Sequence, residues 1–156
     1  MVFAFPLTER KSLSDMNKKT ILIVAIACLC ALSAIAQKCA VNYMPTADFK
    51  NKVWDMKGTQ WNYRGSSAIV IDCYTTWCGP CKRLAPIMEE LAADYCGRVQ
   101  FYKLDIEREP EIAAKFQIHS IPTLLFIPAS GTPGLLQGLR SKEELKSVID
   151  KHLLGK

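Results

Sequence analysis

The chain has 156 residues, 49% of them hydrophobic and 22% charged, with seven cysteines and a formal net charge of +5. That length suits one domain with a real core, and the composition is that of an ordinary globular protein with no repeat, linker or second domain. From Gln37 onward 16 Lys and Arg stand against 13 Asp and Glu, a net of +3, and the basic residues are scattered, so no nucleic-acid-binding patch is expected.

The N-terminus reads as a targeting segment. Asn17-Lys18-Lys19 precedes an apolar stretch from Ile21 to Ala36 that ends Ala34-Ile35-Ala36. A basic region, a short apolar region and an A-x-A end describe a secretory signal peptide, expected over residues 1–36 with cleavage after Ala36. The apolar run falls short of the roughly 20 residues that cross a bilayer comfortably. If it stayed uncleaved, it would be the chain's one link to a membrane. Gln37 and Lys38, neither small nor apolar, precede Cys39 and argue against lipidation there. Met16, just before Asn-Lys-Lys, is a more typical signal start than Met1, so translation has two candidate origins. Cys28 and Cys30 lie inside the leader and count as small hydrophobes.

In the remaining chain, 37–156, a first helix is expected from Thr46 as N-cap, with Phe49, Val53 and Trp54 on one face and Gly58 as its end. Thr59–Ser67 carries Trp61 and Tyr63 in alternation, as in a short extended piece. Ala68–Tyr74 is nearly all apolar, as in a strand buried on both faces of a parallel sheet. A helix follows from about Cys78 to Tyr95, with Leu84, Ile87, Met88 and Leu91 as its apolar stripe and a kink expected at Pro86. Val99–Asp105 alternates as a strand, and Glu109–Phe116 is a short helix with Pro110 near its start. Thr123–Ile127 is a strand, Ser130-Gly131 a turn, Gly134–Gln137 a short edge strand and Gly138 a bend. Ser141-Lys142-Glu143-Glu144 is a capping box that opens a last helix through Leu153. Alternating strands and helices, then a hairpin and a helix, predict an α/β fold: a mixed sheet with helices on both faces.

The chemistry centres on Trp77-Cys78-Gly79-Pro80-Cys81-Lys82, at the turn from a strand into a helix. Free N–H groups at a helix N-terminus favour an anion, so Cys78 should ionise more readily than an ordinary thiol. Cys81, three residues on, shares its helix face and can close onto it, and Pro80 suits a first turn. A zinc site would need a second cysteine pair, which the spacings of Cys39, Cys73 and Cys96 do not offer; no metal is expected. Lys82 in place of His argues against haem attachment. Trp77 offers an exposed flat apolar surface beside the thiols. Asp72, inside the apolar strand, is costly to bury without a partner or a task, and burial raises its pKa. Cys73 should face the opposite side of the sheet and pack in the core. Cys39, Cys73 and Cys96 are expected to be free. His119 is expected at the surface, and His152 in the last turn of the last helix, where the dipole tolerates it. Gly79, Gly131 and Gly138 serve backbone geometry.

The hexapeptide W-C-G-P-C-K resembles the active site of the thioredoxin family, and the chain from about Met44 to its end is similar to that family. The resemblance implies the thioredoxin fold and a protein thiol–disulfide oxidoreductase that needs no cofactor. It implies that Asp72 assists proton transfer with Cys81, that Lys103 sits beside that aspartate, and that the proline of Ile121-Pro122-Thr123 is cis and faces the dithiol. It also implies that the Ile121 backbone pairs with an extended substrate segment and that Gly138 lies near the docking surface, with Trp77, Gly79, Pro80 and Pro122 completing it. Cys78 would attack a substrate disulfide and Cys81 would resolve the mixed disulfide. Gly79-Pro80 resembles the reducing thioredoxins more than dedicated oxidases. An exported reductant implies a membrane thiol electron donor, and a monomer is expected. The alternatives are a thiol reductant for cytochrome c assembly, an oxidising or isomerising exchange protein, and a non-catalytic binding module. The intact Cys78–Cys81 pair with Asp72 and Pro122 argues against the last.

Overall fold

The structure, a computed structural model, describes residues 39–156. The leader expected over 1–36 lies outside the described residues. Nine elements follow in order: β1 (Asn42–Tyr43), α1 (Thr46–Lys52), β2 (Ala68–Tyr74), α2 (Gly79–Asp94), β3 (Val99–Asp105), α3 (Pro110–Lys115), β4 (Thr123–Ile127), β5 (Gly134–Gln137) and α4 (Lys142–Leu153).

The strands form one sheet in the order β1-β3-β2-β4-β5. β1 and β2 run parallel to β3, whereas β2–β4 and β4–β5 are antiparallel. The sheet is therefore mixed, with β2 at its centre, and the burial of six consecutive β2 residues follows from that place. Side chains alternate across the sheet. Ile69, Ile71 and Cys73 join Phe49, Val53 and Ile112 on the α1 and α3 side. Val70 and Phe101 join Leu84, Met88, Leu91, Leu145 and Ile149 on the α2 and α4 side. Helices thus cover both faces. Leu84 and Leu91, fully buried, hold α2 to the sheet; burying a leucine side chain contributes about 1.5–3 kcal/mol.

β2, β3, β4, β5 and α4 have the expected bounds, and Ser141 and Glu144 close the capping box, the Ser141 side chain accepting from the Glu144 N–H and the Glu144 side chain from the Ser141 N–H. Several expectations need correction. Pro45, in extended conformation, is the N-cap of α1, because the Glu109 carboxylate accepts the Thr46 N–H at 2.9 Å and replaces a side-chain cap. α1 stops at Lys52, well before Gly58, where Val53 and Trp54 turn into the core. Residues 59–67 form no strand. Trp61 and Tyr63 are half-buried and stack on each other at 6.3 Å, so the alternation reflects packing with no ladder beside it. β1 was not expected, since two residues leave no periodic trace.

The largest correction concerns the cysteines. Cys39 and Cys96 are joined by a disulfide with a Cα–Cα distance of 4.9 Å, while Cys73 is free and buried. The Val41 N–H donates to Glu89 of α2, and Val41 packs on the α2 core, which carries Cys39 to the end of that helix. The bond spans 57 positions of sequence. Closing a loop of that size restricts the unfolded chain by about 4 kcal/mol in the chain-entropy account. Cys96→Ser should lower unfolding free energy by up to that amount. Urea titration with Cys78–Cys81 kept oxidised in both proteins checks it, and an unchanged midpoint at equal slope refutes it.

Candidate active site

β2 ends at Tyr74, and the chain turns over Thr75–Trp77 into α2. The Thr75 carbonyl accepts the Cys78 N–H at 3.3 Å and tightens that turn. Cys78 is the N-cap of α2, with Pro80 and Cys81 in its first turn. Cys78 thus stands just outside the helix, where its Sγ accepts the Cys81 backbone N–H at 3.1 Å. A sulfur held there faces a donor and the positive end of the helix dipole, which favours its thiolate when it is reduced. The two sulfurs are bonded at 2.02 Å, with Cα atoms 5.3 Å apart. Both cysteines are buried, while Gly79, Pro80 and Trp77 around them are exposed.

Asp72 lies on the α2 side of β2, opposite Lys103 in register. It is buried, and its Oδ1 has no hydrogen-bond partner among the described residues. Burial pushes its carboxyl up to about 7, against a smaller opposing pull from the Lys103 ammonium. Lys103 is itself exposed and makes no ion pair with Asp72 among the described residues. Asp72, Thr75, Cys81, Lys82 and Lys103 line one cleft of about 140 Å³. Cys73 faces away into the other core, where burial pushes its thiol up.

The Ile121–Pro122 peptide is cis. Thr123 is in register with Cys73 of β2 and Gln137 of β5, so Ile121, Pro122 and Gly138 lie at the sheet end that carries the Thr75–Cys78 turn. Gly138, at φ +87°, donates its N–H to the Pro122 carbonyl at 2.8 Å and fixes that loop. The Thr123 hydroxyl donates to the Ser120 carbonyl at 2.6 Å. His119 and His152 are exposed. Trp77 is 67% exposed, and its indole N–H donates to Glu107 Oε1 at 2.9 Å. Glu107 was not singled out from the sequence; nothing in its spacing marks a residue that steadies an indole 30 positions away. Thr75 was missed for the same reason. Among the described residues no cluster of three or more His, Cys, Asp or Glu side chains could hold a metal ion.

Residues 52–151 match the family model described as Thioredoxin. A thioredoxin of Borreliella burgdorferi is 40% identical over 103 residues, covering 65% of this chain and 88% of that protein. A thioredoxin of Staphylococcus aureus is 40% identical over 114 residues, covering 73% and 99%. The chain belongs to the thioredoxin family. A crystal structure of chloroplastic thioredoxin z shares the fold, with a TM-score of 0.61 and 21% identity over 72% of this chain and 93% of that one. As a member of the thioredoxin family the protein is a thiol–disulfide oxidoreductase acting on protein disulfides.

In this thioredoxin-family domain the buried Asp72 has a consequence for stability. Its carboxyl titrates near 7 when folded, against an ordinary 3.8, so between those values the folded state binds more protons than the unfolded one. Stability is then complete below about pH 4 as far as Asp72 is concerned, and it falls as pH rises through 7. The shift from 3.8 to about 7 corresponds to a loss on the order of 4 kcal/mol. Asp72→Asn should flatten this slope and be the more stable protein at pH 8. Urea midpoints of the two oxidised proteins between pH 4 and 8 check it, and parallel curves refute it.

Proposed function

We propose that this thioredoxin-family protein reduces protein disulfides outside the cytoplasm. Cys78 is the nucleophile, Cys81 the resolving thiol and Asp72 the base that takes the Cys81 proton. The observation that carries this reading is the hydrogen bond from the Cys81 N–H to Cys78 Sγ at the start of α2. A thiolate formed at that N-cap attacks one sulfur of a substrate disulfide; one S–S bond forms, one breaks, and a substrate thiolate leaves. Cys81, already in the first turn, is placed to attack Cys78 in turn and to release the second substrate sulfur.

Trp77, Gly79, Pro80, Ile121, Pro122 and Gly138 form the substrate surface. The exposure of the first three and the shared sheet end of all six support this. The Ile121 N–H and carbonyl make no backbone hydrogen bond among the described residues, which suits pairing with an extended substrate strand. Lys103 acts through Asp72 by moderating its proton affinity.

Two features support an exported location. One is the Lys18-Lys19 and Ile21–Ala36 pattern of the leader. The other is the Cys39–Cys96 bond, since such bonds persist in oxidising compartments. A reductant working there draws electrons from a membrane thiol donor, and it works as a monomer.

With dithiothreitol as electron source, the full chain should speed insulin disulfide reduction, and Cys78→Ser should fall to the dithiothreitol background. Cys81→Ser should accumulate a mixed disulfide at Cys78, seen as a mass shift that reductant reverses. If Cys78→Ser matches the unaltered protein, Cys78 is not the nucleophile. In cells, capture by Cys81→Ser of many exported proteins fits a general reductant; capture of one haem-assembly protein alone overturns that breadth.

A further inference from the structure

The cleft beside the dithiol is bordered by two ammonium groups that the fold leaves without a carboxylate partner. Lys82 stands in the first turn of α2 and Lys103 on β3, and both line the cleft with Tyr74, Thr76, Cys81 and Ala85. Both lysines are exposed, and no ion pair reaches either of them among the described residues. Lys50, Lys52, Lys142 and Lys146, by contrast, each hold a carboxylate. The acids around the cleft are occupied or buried. Glu107 Oε1 accepts the Trp77 indole N–H at 2.9 Å. Asp105, 3% exposed, accepts the Glu107 N–H and faces Arg108 at 3.7 Å. Asp72 is buried with its carboxyl drawn up to about 7, so at neutral pH it offsets Lys103 only in part. Arg108 adds a third cation, whose charge acts on the Tyr74 phenol at the cleft wall.

We infer that Lys82 and Lys103 form a docking pair for an acidic side chain of the substrate, one that flanks the cysteine whose sulfur leaves when Cys78 attacks. The inference rests on the proposed roles of Cys78 as nucleophile and Ile121 as substrate contact. A disulfide brings two backbone segments to the site. In the sheet β2 lies between β3 and β4, so the cleft on the β3 side and Ile121-Pro122 on the β4 side flank the turn that follows β2. One substrate segment pairs with Ile121, and the other passes over the cleft, where the two ammonium groups meet it. Neither lysine gives up an existing ion pair to bind, so an incoming carboxylate gains both attractions. Each exposed pair of this kind contributes up to about fivefold in affinity, and a local excess of one charge also raises the rate of encounter with the opposite one.

A solvated surface also exposes lysines, and a net positive domain attracts acids from every side. A docking pair differs from both in being local: two cations from separate elements meet at one cleft, next to the second cysteine. Lys151 is the matching control. It is exposed in the last turn of α4, next to His152 and Leu153, which line a groove with Pro128 and Gly134 at the other end of β4. Removing its charge changes the net charge as much as removing that of Lys82 and leaves the cleft as it is.

The test mixes the full chain, reduced at Cys78 and Cys81, with synthetic peptides that carry one intramolecular disulfide flanked by aspartates, by serines or by lysines, at neutral pH and low ionic strength. Each rate is divided by that of dithiothreitol with the same peptide, which removes the effect of the flanking charges on the peptide's own sulfurs. The aspartate peptide should be reduced about tenfold faster than the lysine peptide, with the serine peptide between them. Salt at about 1 M, where charges are screened beyond roughly 3 Å, should close most of that gap. Lys82→Gln should shrink the preference and Lys82→Glu should abolish or invert it, while Lys151→Gln keeps it. Equal normalised rates for the three peptides, with Cys78→Ser inactive on all of them, overturn the docking pair and leave the nucleophile standing. An equal loss of preference in Lys151→Gln and Lys82→Gln assigns it to the net charge and overturns the pair as well. If Cys78→Ser reduces the peptides as fast as the unaltered protein, the proposed function fails and the docking pair fails with it.

Discussion

The Cys81 backbone N–H directed at Cys78 Sγ sets the demands on the rest of the domain. For that contact to form, the first cysteine must stand at the N-cap with non-helical angles while the second is already helical, and the helix start must sit at one end of the sheet. The sequence between β2 and α2 meets both demands. The Thr75 carbonyl takes the Cys78 N–H and closes the turn, and Pro80, lacking an N–H, fits a first turn where none is required. Leu84, Met88 and Leu91 press the helix against the β2–β3–β4 face. Those contacts lie along the helix body, so the energy that fixes the thiols is gained at a distance from them.

The site sets a sulfur and a carboxylate in contrasting environments. Cys78 Sγ stands at a helix N-terminus, which favours an anion, whereas burial draws the Asp72 carboxyl up to about 7 and favours its neutral form. The cost is borne by stability, since a charged Asp72 opposes folding. Lys103 reduces that cost from the neighbouring strand without removing it, because an ammonium exposed to solvent is screened.

What could be read in the chain was whatever is encoded within one element. β2, β3, β4 and β5 are short apolar or alternating runs with turn residues on either side, and α4 opens on a capping box confined to Ser141 and Glu144. The dithiol is likewise local, two cysteines and a proline at the start of a patterned helix. What escaped was set by partners distant in sequence. The N-cap of α1 shifts to Pro45 because Glu109, 63 residues on, accepts the Thr46 N–H. Cys39 and Cys96 look like unrelated thiols until β1 is laid beside β3, and β1 itself is two residues long. Glu107 and Thr75 carry no periodic or motif signal, since each matters through one atom placed by the fold.

The two disulfides stand at opposite ends of α2, and that arrangement divides their duties. Sixteen helical residues rise about 24 Å, far beyond the reach of any thiol exchange between the pairs. Opening Cys78–Cys81 therefore leaves Cys39–Cys96 as it was. The first pair is closed by residues three apart and sits in a turn ringed by exposed Trp77, Gly79 and Pro80, where a substrate can approach. The second joins the chain leading into β1 to the segment just past the helix end, where Gly97 takes a positive φ of 77°. It holds the far end of the helix to the edge of the sheet. The proposed cycle of bond making and breaking at the N-terminal turn then takes place on a helix tethered at its other end.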